Sequence, residues 1–194
     1  MKKFLFVILT LILFTATAQA AAVPVRIARL PIIFQSTVPD RNTCAELEVK
    51  IARAVHVPLN RTLRIVEYIP AKESQQALSY IWQDMRAKNK KAKLADAMRP
   101  LAQILNADIV VCPVLLRYSQ NSTFSVWGET IIDSQARAEL IVYDRRTDTL
   151  IDKKSTQMYH DSYHPLGTAS TLAKICFDRV INETNIRQLI RAIK

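Results

Sequence analysis

The chain has 194 residues, 49% of them hydrophobic and 23% charged, which is enough apolar material for a buried core and too much for intrinsic disorder. Only Gly128 and Gly167 supply glycine, so no glycine-rich phosphate loop of the P-loop or dinucleotide-binding kind can be built. A formal charge of +10 favours anionic partners or plain solubility without naming a ligand.

Residues 1–20 have the pattern of an export signal. Lys2 and Lys3 form a positive start, residues 4–14 are apolar, and Ala18-Gln19-Ala20 offers small residues to a peptidase. The apolar stretch is shorter than the roughly 20 residues of a membrane-spanning helix, and no cysteine near the cleavage point could carry a lipid. Residues 21–194 are then expected to be one exported α/β domain without a transmembrane span, in the periplasm or otherwise outside the cytoplasm. Loss of Lys2 and Lys3 with the leader lowers the formal charge from +10 to +8. Nucleic acid is scarce in that compartment, while acidic lipid headgroups and wall polymers are abundant. No nucleic-acid partner is expected.

Residues 25–34 read as a first strand, with Pro31 marking an edge or a bulge. Thr43 and Glu46 match a capping box, and Cys44, Leu47, Ile51, Ala54 and Val55 form the apolar stripe of a helix that Pro58 ends. His56, at that helix's end, suits the negative pole of the dipole. A second strand is expected over 62–68 and a second helix over 72–87, with Ala77, Leu78, Ile81, Trp82 and Met85 on its inner face. Arg86, Lys88, Lys90, Lys91 and Lys93 follow, either as a solvated turn or as a basic patch for an anionic glycan or lipid.

Helical spacing resumes from Leu94 to Asn106, with a kink or split expected at Pro100. The apolar run over 109–116 predicts a strand buried on both faces at the sheet's centre, where Pro113 demands a bulge or an end to pairing. The polar residues 119–125 read as a mobile excursion. Beside them, Phe124 and Trp127 either anchor a partner or sugar or fold back over a sheet edge. Residues 135–143 and 150–159 form a hairpin around a polar turn, with Arg137 and Glu139 on its wet face. After a loop over 160–166, Thr168 or Ser170 caps a last helix carrying Leu172, Ile175, Cys176, Val180, Leu189, Ile190 and Ile193. The sum is a mixed sheet of about five strands in the order β-α-β-α-α-β-β-β-α.

This order resembles the periplasmic α/β domain shared by the TolB N-terminal region, the curli secretion protein CsgG and the activator lipoproteins of penicillin-binding proteins. Residues 101–111, LAQILNADIVV, are similar to their helix, small-residue turn, Ala-Asp pair and central strand, and residues 140–150 to their hairpin. Asn106 and Asp148 stand where those proteins commonly have turn glycines, and both residue types tolerate positive φ. The resemblance implies a role in binding or assembly rather than catalysis, with no cofactor and no catalytic residue carried over.

Three cysteines, Cys44, Cys112 and Cys176, lack metal or redox spacing; Cys44 and Cys176 could pair, or all could be buried thiols. His160 and His164 beside Asp161 or Asp152 would suit a hydrolase only if a pocket gathered them. The leading expectation is a non-catalytic envelope protein that binds a protein partner or its own copies. Mass spectrometry of the exported protein is expected to find Ala21 at its amino terminus; a mature chain still beginning at Met1 contradicts the leader reading.

Overall fold

The computed structural model describes residues 23–191; the expected leader and Ile193 lie outside the described residues. Strands β1 (Val25–Arg29), β2 (Ile33–Phe34), β3 (Val66–Ile69), β4 (Ile109–Phe124), β5 (Thr130–Asp144) and β6 (Thr149–Ser162) form one mixed sheet. Its order is β3-β1-β4-β5-β6, with β2 also paired to β4. The pairs β1–β3, β1–β4 and β2–β4 are parallel, whereas β4–β5 and β5–β6 are antiparallel.

Helices cover both faces. Against one lie α1 (Arg41–Val55), α5 (Ala169–Thr184) and α6 (Ile186–Arg191), which bury Leu47, Ile51, Phe177, Val180 and Ile190 on Ile27, Ile109, Val111 and Leu140. Against the other lie α3 (Ala71–Lys88) and α4 (Met98–Ile104), which bury Leu78, Ile81, Met98 and Leu101 on Ala28, Val110, Cys112 and Ile141. Alternate residues of β4 enter opposite cores, as strand pleating requires of an apolar run covered twice. No helix among the described residues is long and apolar enough to cross a membrane.

Several local expectations are corrected. Asp40, not Thr43, caps α1: its carboxylate accepts from the Asn42 and Thr43 amides at 3.0 Å, and a charged acceptor serves the positive helix end better than a hydroxyl. Residues 60–63 form a short helix, α2 (Asn60–Leu63), so the second strand starts only at Val66; the Asn60 side chain bridges to the Val66 amide and carbonyl. Pro100 does not kink a helix. It falls in the first turn of α4, where a missing amide costs nothing, and the split precedes it in a 3₁₀ turn (Leu94–Ala97). The last helix breaks at Asn185, left-handed at φ 51°, into α5 and α6, and Ile175 is exposed rather than core.

Pro113 neither bulges nor ends β4, since it pairs with Leu140 of β5. Its ring nitrogen points to the other side, where the carbonyls of Val111 and Leu115 accept from Leu30 and Gln35. That is the gap between β1 and β2, so no ladder bond is lost. The gap is itself satisfied from α1: Glu48 accepts from the Ile32 amide at 2.7 Å and from Arg29 at 2.6 Å. The bulge falls later, between Leu115 and Arg117.

The expected excursion over 119–125 is strand as far as Phe124, with Ser125 opening the turn. Ser119 pairs with Gln135 and Phe124 with Thr130, making a long ribbon that β6 extends through His160 to Ser162. Polarity there reflects exposure of the ribbon, not absence of structure, because the backbone finds its partners across the ladder. The sixth strand arises elsewhere, where the expected strand over 25–34 divides at Pro31 into β1 and β2. Glu48→Ala is expected to cost about 1–3 kcal/mol in urea unfolding by orphaning the buried Ile32 amide, and Glu48→Gln less, because the amide oxygen can still accept.

Candidate functional site

Two features stand apart from the cores: an open groove and an apolar hairpin tip. The groove, about 860 Å³, runs between α3 with the following 3₁₀ turn and the sheet beyond the reach of α4. Trp82, Arg86, Lys93 and Leu94 form one wall, and Leu116, Glu139, Ile141, Asp152 and Lys154 the floor. Sequence periodicity placed Glu139 on a wet face, yet the residue is only 7% exposed. A buried carboxylate cannot be told from a solvated one by alternation alone, because the covering groups come from other elements.

On the floor the Lys154 ammonium lies 2.7 Å from Glu139 and 3.0 Å from Asp152. The register makes this arrangement: Glu139 faces Lys154 directly, and Asp152 is two residues away on the same face. Burial pushes the Glu139 carboxyl above its ordinary range; the Lys154 hydrogen bond opposes the rise and Asp152 adds to it. Hydrogen bonds to Glu139 and Asp152 raise Lys154 in turn. The ammonium therefore holds two like charges together, and nothing here presents an activated nucleophile.

The basic stretch is largely solvated. The Arg86 guanidinium stands 5.4 Å from the centre of the Trp82 ring and donates to the Lys90 carbonyl at 2.7 Å, while Lys88 pairs with Asp84. Lys90, Lys91 and Lys93 are exposed, and Lys93 also borders the groove. Arg86 and Lys93 thus belong to the groove wall, whereas Lys88, Lys90 and Lys91 do not line it.

At the far end of the β4–β5 ribbon, Phe124, Val126 and Trp127 are 82%, 95% and 87% exposed. Trp127 does not fold back over a sheet edge. The tip holds its shape through Ser125, whose hydroxyl accepts from the Trp127 and Glu129 amides and whose backbone bonds to Glu129 and Gly128. Gly128 has φ 78°, a conformation that suits glycine.

The other chemical constellations are not assembled. His160 is exposed on β6, 4.0 Å from Asp133, and His164 uses its Nδ1 to accept from the Leu166 amide of its own loop. Asp152 lies eight residues back along β6, about 27 Å away at strand spacing. No group of His, Cys, Asp and Glu among the described residues could hold a metal ion. Cys44, Cys112 and Cys176 are free; Cys44 bonds to the Pro39 carbonyl and Cys176 to that of Ala136, and burial pushes the Cys112 thiol far up.

No protein-family model and no curated protein sequence matches the chain. Among solved structures, it is similar to the hypothetical protein CT253 from Chlamydia trachomatis, at 16% identity and a TM-score of 0.43 over 87% of this chain and 99% of that one. Lipoprotein GNA1162 from Neisseria meningitidis is 18% identical with a TM-score of 0.38 over 84% of this chain and 99% of that one. The PelC dodecamer from Paraburkholderia phytofirmans is 15% identical with a TM-score of 0.39 over 82% and 88%. At such scores these likenesses carry no functional argument.

Lys154→Met is expected to destabilise the fold at pH 7 by about 1–2 kcal/mol, the partly exposed ammonium being screened. Glu139 titrates high in the folded state, so the ionised form is the costly one. The loss should shrink as pH falls below neutrality and a proton on Glu139 replaces the lysine, as thermal melts against pH will read.

Proposed function

We propose that this chain is a non-catalytic, exported binding or assembly module whose β4–β5 tip anchors a protein partner or a second copy. The observation that carries this reading is the tip itself: two aromatic residues and a valine held almost fully exposed at the end of a ribbon with an ordered turn. Exposing such side chains has no benefit within the chain, and large aromatics seated in a partner's pocket dominate interface energetics. The leader-like residues 1–20 support placement outside the cytoplasm, and the motif resemblance at 101–111 and 140–150 agrees with a binding role.

A photo-crosslinking residue placed at Val126 should give discrete adducts in cells, either with another envelope protein or as a dimer of the chain. Phe124→Ser with Trp127→Ser should leave the melting temperature unchanged, because neither side chain is buried, and weaken association about thirtyfold or more, the scale of an interface hot spot. A monomer in sedimentation that gives no tip-dependent adduct overturns the reading.

A further inference from the structure

The sheet face floored by Glu139 and Lys154 continues past the groove without a helix over it. The next row along the ribbon is Arg117, Arg137 and Thr156, all exposed. Arg117 and Arg137 are directly opposed across the antiparallel pair, and neither enters an ion pair among the described residues. Like charges set opposite one another on a sheet repel, and no carboxylate among the described residues pairs with either.

The bulge between Leu115 and Arg117 creates this pair. In an unbroken ladder, Leu116 would oppose Arg137, and Arg117 would oppose Ala136 beneath α5. One extra residue reverses the alternation and turns Arg117 onto the open face, as bulges commonly re-aim side chains beside functional sites. Two guanidinium groups about 5 Å apart at their Cα atoms then form a fork matched to a carboxylate.

We propose that Arg117 and Arg137 receive the carboxylates of an extended, acidic segment of a protein partner, whose apolar side chains enter the adjoining groove. This inference rests on the protein-binding reading above and gives it a second contact of defined chemistry. Same-face side chains of an extended peptide recur about every 6.6 Å, which is also the spacing between the Arg row and the floor row. Leu94 and Leu116, both half-buried, supply apolar surface in the groove, which an acidic polypeptide can use and a uniformly anionic polymer cannot. A second copy is disfavoured as the occupant by the exported chain's own formal charge of +8.

The test is fluorescence anisotropy with a labelled hexapeptide, Glu-Ser-Glu-Ser-Leu-Ser, whose Glu and Leu side chains share one face when extended, compared with counterparts carrying Gln or Lys in place of Glu. The acidic peptide alone should bind, more weakly as salt rises, and Arg117→Gln with Arg137→Gln should cost about tenfold in affinity. The paired substitution should also raise the melting temperature slightly by removing the repulsion, which shows that the variant folds. Lys90→Gln with Lys91→Gln and Trp127→Ser should leave the peptide affinity unchanged. Equal affinity of the double Arg variant, loss through Lys90 and Lys91 instead, or Arg-dependent retention on phosphatidylglycerol vesicles without peptide binding each overturns the proposal. Tip-dependent adducts that persist undiminished in the Arg variant remove this site while leaving the assembly reading intact.

Discussion

The ladder along β4 is the constraint on which the rest of the structure depends. For its first half the strand is the middle of a mixed sheet, hydrogen-bonded on both sides and covered on both faces; for its second half it is one arm of a ribbon that leaves the helical layers behind. Two residues govern the passage between these states. Pro113 turns its missing donor toward the gap left by Pro31, so the strand stays central without an orphaned bond, and the bulge at Leu116 rotates everything beyond it. Either residue alone would look like a defect in a central strand. Together with Glu48, which closes the same gap from α1, they make the defect self-consistent.

Coverage by helices is unequal, and that inequality produces the surfaces available for binding. The α5 helix runs along β5 and β6, and its start is tied to the ribbon by Gln120, whose side-chain oxygen accepts from the Ala169 amide at 2.9 Å. The opposite layer of α3 and α4 ends sooner, so the sheet face, still covered at Ile141 and Glu139, is open at Arg137 and beyond. Where the floor is half covered, Glu139, Asp152 and Lys154 settle their charges among themselves. Farther along the ribbon the arginine row has no such partner.

The turns show how a chain with two glycines manages its sharp reversals. Asn106 at φ 46° and Asp148 at φ 51° take the left-handed conformation, and each repays it with side-chain bonds: Asn106 accepts from Arg145, and Asp148 accepts from Tyr143. Asp108 binds the Arg26 amide and the Arg145 side chain, fixing the start of β4 to β1 and to the β5–β6 turn. Burial raises Asp144 but the bonds from Arg146 outweigh it, holding the carboxyl below its usual range, so the stability it contributes is present near neutrality and fades as pH falls into the acid range.

The sequence by itself determined the α/β class, the apolar centre at 109–116, the amphipathic helices, and Phe124 and Trp127 as candidate contacts, because each is written in local spacing or residue type; the turns at Asn106 and Asp148 were legible only through the family resemblance, as residues standing in place of turn glycines. Only the tertiary structure decided what depends on pairing between distant segments. Whether residues 119–125 were loop or strand turned on β5, whether Glu139 was wet or buried turned on Lys154 and the helical wall, and whether Arg117 faced α5 or solvent turned on a single bulged residue. Periodicity records which residues share a face of one element; register and coverage, set by neighbours far away in the chain, decide what that face meets.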